Sequence, residues 1–312
     1  MHLNQATFDA LDSLTLPLVN PQGFTHGVLS RAHSQGVLLY GPPGTGKSHL
    51  VRALAKHTHA IMMTLSDADV NRCYVGETEQ KIQEVFATAR KNHPCIIFID
   101  EADSLFSSRM NHEQTTRAHI HHLNQFLVEM DGIKSNRATS PMVIAATNRP
   151  YAMDEGILRR LGVRIMVDLP DVSARERILA IHLRGEPMAE DVDLAELARA
   201  TPDYTGSDLN ELVTAAARHA ERDNIRGMGL RIDLNDGDGS LAGQLPKDAK
   251  VTQRLTSRVH FVRARDEVRA APISETSGKI REFHNKYGST GNTGYMSQQK
   301  AEIINKVKEG ST

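Results

Sequence analysis

The stretch Gly36–Leu50, GVLLYGPPGTGKSHL, limits what this chain can become more than any other. Gly41, Gly46, Lys47 and Ser48 fill the template G-x-x-x-x-G-K-[ST], with Pro42, Pro43, Gly44 and Thr45 between them. Val37–Tyr40 reads as a short buried strand, and His49–Ala55 runs on without a helix breaker. Glycines let a backbone turn its N–H groups inward around anionic oxygens. A helix that starts there adds free donors and the positive end of its dipole. Lys47 would reach the β- and γ-phosphates, and the Ser48 hydroxyl would ligate Mg²⁺. A nucleoside triphosphate is the expected ligand.

The rest of the chain supplies a sheet for that loop. Ala60–Leu65, Cys95–Asp100, Met142–Thr147 and Val163–Val167 are four further strand candidates. Helical spacing predicts helices over Leu3–Leu18, Gln80–Arg90 and Thr116–Met130. Apolar strands alternating with helices predict an α/β fold with a parallel five-stranded sheet covered on both faces. Ligands of such sheets sit beyond the strand C-termini, where this chain places Gly41, Ser66-Asp67, Asp100-Glu101 and Asn148. After Pro170 the strand signal stops. Arg175–Leu183, Leu194–Arg199, Ser207–Asp223, Leu255–Ala270 and Glu275–Tyr287 read as helices of a small all-helical domain. The expected division is 1–170 for the α/β domain, 171–290 for the helical domain and 291–312 for a poorly ordered tail. Asp233–Lys250 is expected to be a mobile Gly/Asp-rich loop.

Composition narrows the function classes. The 312 residues carry 37 Lys and Arg against 38 Asp and Glu, so no charge excess calls for nucleic acid. Two cysteines, Cys73 and Cys95, suggest no disulfide framework and favour a reducing compartment. No apolar run approaches the length of a membrane span. The first residues lack a signal-peptide pattern and pass quickly into structured-looking chain, so a missing N-terminal region is expected.

Two carboxylates at the end of an apolar strand can divide their work. Asp100 would hold the Mg²⁺ hydration shell, and Glu101 would polarise a water against the γ-phosphate. Asn148, after the neighbouring strand, could orient the same water, although Asn at a strand end is often a turn residue. Together GPPGTGKS, IIFIDEADSLFSSR, VIAATNRP and MDEGILRRL resemble an ATPase module of the AAA family, within the AAA+ superfamily. The likeness runs from about Leu14 to Tyr287. LRRLGVRIMVDLP and APISETSGKIREFHNKYG resemble the branch of katanin, spastin and the mitochondrial outer-membrane enzymes that extract misplaced proteins.

The resemblance implies a P-loop NTPase fold with a helical lid, ATP and Mg²⁺ as cofactors, and ATP hydrolysis. Gly41–Ser48 matches Walker A, Asp100-Glu101 Walker B and Asn148 sensor 1. Arg159 and Arg160 match a pair of arginine fingers that reach the ATP of the next subunit; without the motif they would read as a solvated helix end. Gly206-Ser207 match the sensor 2 position, and His182 falls where the family places a residue near adenine. Fingers in trans imply a homo-hexamer. Tyr74 and Val75 match an aromatic pore loop that would pull a protein substrate through the ring, and Arg109–Arg117 lies where a second pore loop would be. His119, His121 and His122 read as a solvated helix face rather than a metal site. The expected function is ATP-driven unfolding, extraction or disassembly of a protein. Microtubule severing and a nucleotide-gated scaffold are the alternatives. A cytoplasm-facing location follows, at the mitochondrial outer membrane if the missing region holds an anchor, which would be the sole membrane association.

Overall fold

The computed structural model describes residues 15–16, 18–24, 36–66, 77–107, 117–132, 140–227, 254–270 and 274–289. Five strands are present: β1 (Gly36–Tyr40), β2 (Ile61–Leu65), β3 (Cys95–Ile99), β4 (Met142–Thr147) and β5 (Val163–Met166). They form one sheet in the order β2-β3-β4-β1-β5, and every pairing is parallel. All residues of β1, β3 and β4 are buried, which is why these strands read as unbroken apolar runs. The flanking strands β2 and β5 are part-exposed edges.

Between the strands come α1 (Lys47–His57), α2 (Glu77–Lys91), α3 (Ala102–Leu105), α4 (Arg117–Gly132) and α5 (Glu155–Arg160), with a 3-10 turn at Pro150–Ala152. Successive strand side chains point to opposite faces, so the sheet has two cores. Leu38, Tyr40, Ile97, Ile99 and Val143 pack with Phe86, Phe126 and Ile157 from the helices on one face. Val37, Leu39, Ile96, Phe98 and Ile144 pack on the other with Leu50 and Val51 of α1. Of the N-terminal helix expected over Leu3–Leu18, residues 15–16 and 18 are described and helical, and Leu18 is buried in this second core.

The second compact unit spans Leu169–Pro272 and contains α6 (Val172–His182), α7 (Leu194–Ala200), α8 (Gly206–Gly227) and α9 (Arg258–Glu267). Leu179, Leu183, Leu209, Leu212, Ala216 and Phe261 form its core. Asp171 and Asp193 cap α6 and α7 by accepting from the N–H groups of Ala174 and Ala195. Arg175 is buried, and its guanidinium donates to Ala198 O at 3.0 and 2.9 Å and to Pro170 O at 2.8 Å. Arg175→Met should strand those carbonyls. We expect a loss of about 2–4 kcal/mol, measurable as a lower urea midpoint.

The expected helical domain, 171–290, differs from the second unit at its end: the last described helix, α10 (Ser274–Tyr287), groups with the sheet. Its Ile280 and Phe283 enter the first sheet core. Helical spacing identifies a buried face without saying which core receives it. The Asp233–Lys250 loop and the tail beyond residue 289 lie outside the described residues.

Candidate functional site

Parallel register brings the polar strand ends together. Tyr40 pairs with Thr147, and Ile99 with Ala145, so Gly41, Asp100 and Asn148 leave neighbouring strands at the same edge of the sheet. The loop after β1 needs its glycines. A Cβ on Gly41 would lie 2.1 Å from Val167 O. Gly44 and Gly46 have φ of 76° and 90°, a backbone that turns N–H groups to one side. Thr45 Oγ1 closes the turn by donating to Pro42 O at 2.9 Å.

Lys47 is buried at the start of α1, where Nζ donates to Gly41 O at 3.0 Å and Pro42 O at 2.7 Å. Burial lowers its pKa to about 8, against the pull of Asp100 and Asp103. Ser48 Oγ donates to Asp100 Oδ2 at 2.5 Å, and the other oxygen of Asp100 accepts from the Glu101 N–H at 3.0 Å. A hydroxyl beside a carboxylate is the hard oxygen set that suits Mg²⁺; Ser48 and Asp100 could hold that ion. Glu101 is exposed and sits in the left-handed region at φ 49°, ψ 44°. A non-glycine residue held there is strained, as residues at functional sites often are.

Asn148 Oδ1 is buried and, among the described residues, has no hydrogen-bond partner. An unpaired buried acceptor costs about 1–3 kcal/mol, which a bound water donating to it would recover. Sequence reasoning missed two residues of this cluster, Asp103 and Thr147. Thr147 Oγ1 donates to Asp103 Oδ1 at 2.6 Å and accepts from the Arg149 N–H at 2.9 Å, so it fixes the turn that carries Asn148. The available signal was spacing: Asp103 lies three residues beyond Asp100, and Thr147 is the last residue of β4.

The two arginines of α5 differ. Arg159 has a side chain 79% exposed, with an ion pair to Glu155 at 3.8 Å. Arg160 is 29% exposed and clamped by Asp131 at the end of α4, Nε–Oδ1 3.2 Å and Nη2–Oδ2 2.5 Å, while Nη1 donates to Gly156 O at 3.1 Å. His182 ends α6 and Gly206-Ser207 begin α8, both in the helical unit. Tyr74, Val75 and residues 109–116 lie outside the described residues.

Comparison with known proteins identifies the family of the chain. The family model for the ATPase family associated with various cellular activities (AAA) matches residues 37–169, and the AAA+ lid domain matches 191–236. The chain is 41% identical over 248 residues to the ATP-dependent zinc metalloprotease FtsH of Thermus thermophilus, covering 76% of this chain and 38% of that protein. It is 40% identical over 227 residues to FtsH 1 of Sphaerobacter thermophilus, covering 70% and 34%. The chain thus spans little more than a third of these relatives. Among solved structures, the FIGL-1 AAA domain superposes with a TM-score of 0.74 at 29% identity, covering 92% of this chain and 88% of that one. The same domain in complex with ADP gives 0.73 and covers 92% and 89%. The matched AAA and AAA+ lid models, on a chain whose sheet unit and helical unit have the architecture of those domains, place this chain in the AAA family of ATPases.

Proposed function

We propose that this chain is the ATP-hydrolysing motor of a protein-remodelling machine, working as a homo-hexameric ring that unfolds, extracts or disassembles a protein substrate. The observation that supports the ATP-hydrolysing part of this reading is the joint placing of Lys47, the Ser48–Asp100 pair and the unpaired Asn148 Oδ1 at the ends of three adjacent strands. Mg²⁺, held by Ser48 and through water by Asp100, would supply charge neutralisation to the phosphates. Glu101 takes a proton from the attacking water, and Asn148 Oδ1 accepts from the same water and sets its direction. Tyr74 and Val75 grip the substrate. The FtsH relatives are ATP-dependent proteases by name, which supports a protein as the substrate. No described helix is long and apolar enough to cross a membrane. A reducing, cytoplasm-facing compartment suits the two cysteines.

Arg159 is the finger this reading needs, since its charge is exposed for a neighbouring subunit. Arg159→Ala should bind ATP but lose about 10³-fold in kcat. Arg160, clamped in its own chain, holds α5 in place. If so, Asp131→Asn should share the loss of Arg160→Ala. If Arg160 is itself a finger, Asp131→Asn would free it and leave turnover intact. The ring and the threading are tested together by sedimentation with ATP and by an unfolding assay. A monomer with ATP bound, or undiminished unfolding by Tyr74→Ala, would overturn them.

A further inference from the structure

α10 belongs to the sheet unit, where it touches the end of β1, the turn after β4 and the edge strand β5. Tyr40, the last residue of β1, is fully buried, and its hydroxyl lies 2.6 Å from His284 Nδ1 on α10. The next residue is Gly41 of the phosphate loop. Lys279 lies over the ring of Tyr151 at 5.6 Å, in the turn that follows Asn148. The ring of Tyr287 faces the Arg164 guanidinium at 5.4 Å. That guanidinium donates to Leu158 O at 2.6 Å and Leu161 O at 3.3 Å, capping the helix that carries Arg159. Past the helix, Ser289 exchanges two hydrogen bonds with the backbone of Arg164 on the edge strand, at 2.8 and 2.9 Å.

The Tyr40–His284 pair is the best defined of these contacts. Burial pushes the Tyr40 hydroxyl up from its ordinary pKa, and burial pulls His284 down despite Asp168. Both are therefore neutral near pH 7, and a single proton lies between the phenol oxygen and the imidazole nitrogen, with the His284 tautomer setting which of them donates. Phe283 stacks edge-on against the Tyr40 ring at 5.2 Å. The space is closed by Gly288, where a Cβ would lie 2.5 Å from His284 Nδ1 and 2.8 Å from the Tyr40 hydroxyl. A buried hydroxyl could have been avoided with phenylalanine, which keeps the ring contact and needs no partner. The hydrogen bond instead ties the strand end, one residue before the phosphate loop, to a helix at the far end of the sequence.

We propose that Tyr40 and His284 are positioning residues for the nucleotide: their hydrogen bond braces the β1 end against α10 and so holds the phosphate loop in its ATP-binding shape. This rests on the ATP site argued above, and it makes α10 part of that site without touching the ligand. The test is ATP affinity and kcat of the full chain for Tyr40→Phe, His284→Ala, His284→Asn and the Tyr40→Phe/His284→Ala pair, with thermal melting to confirm folding. Tyr40→Phe and His284→Ala should each weaken ATP binding about fivefold, the effect of one buried hydrogen bond, with kcat changed less than about twofold. The double variant should be no weaker than either single one. His284→Asn, which returns an acceptor near the Nδ1 position, should recover most of the affinity. Gly288→Ala should match His284→Ala. Unchanged ATP affinity alongside a lower melting temperature would reduce the pair to packing and overturn the proposal, as would full additivity in the double variant. Lys47→Ala measured alongside separates the two levels. If the native chain itself binds no ATP, the site reading fails; if it binds and Tyr40→Phe matches it, the brace alone fails.

Discussion

Lys47→Ala is expected to weaken ATP binding at least about a hundredfold. Two charge-assisted hydrogen bonds to phosphate, at about 1.5–3 kcal/mol each, account for that much. Lys47 is already aimed at the loop, since Nζ meets the carbonyls of Gly41 and Pro42. Retained binding in an equilibrium titration would mean that the loop amides hold the phosphates alone.

The same side chain gives a pH signature. Its pKa is lowered from 10.5 to about 8, with burial as the main cause. The charged form is disfavoured in the folded chain, so this residue costs stability in full below about pH 8. Between about 8 and 10.5 the unfolded chain binds the extra proton, so the cost fades and this contribution to stability rises with pH. ATP affinity should run the other way, falling as pH rises through about 8 because the lysine loses its charge. Binding at pH 8 should take up protons, measurable by calorimetry in buffers of different ionisation enthalpy. Lys47→Arg, whose guanidinium stays charged, should show no such fall.

Most of the sheet was legible in the chain because β1, β3 and β4 are buried on both faces and leave unbroken apolar runs. The phosphate loop was legible because its glycines are required by backbone geometry, with a Cβ at Gly41 meeting Val167 O. What stayed hidden depends on contacts far apart in sequence. Thr147 meets Asp103 across 44 residues and Tyr40 meets His284 across 244, and periodicity carries no information at such range. Arg159 and Arg160 look alike as letters. They part only because a helix advances by about 100° per residue, which turns one to solvent and the other to Asp131. The helical unit was legible as helices, yet Ile280 and Phe283 have the same spacing whichever core takes them.

Glu101→Gln should bind ATP as the native chain does and lose about 10²–10⁴ in turnover, the usual worth of a general base. Glutamine matches the shape of the carboxylate and preserves the backbone, whose N–H still donates to Asp100 Oδ1, but it cannot take the proton from water. Turnover within tenfold of native would sink the base role. A second variant separates that chemistry from the conformation. Glu101 is held at φ 49°, a region costing a non-glycine residue about 1 kcal/mol. Glu101→Gly should therefore stabilise the fold by about that amount, or leave it unchanged where glycine's greater unfolded-state entropy offsets the relief, while hydrolysis is lost as in Glu101→Gln. Loss of activity without loss of stability is what a residue kept for its chemistry predicts. If Glu101→Gly instead unfolds the chain, Glu101 holds structure through contacts its exposed side chain does not suggest. Asn148→Ala offers the matching check, because removing an unpaired buried acceptor should raise stability and lower kcat together. Two neighbouring strand ends would then each carry a strain that the native chain keeps for hydrolysis.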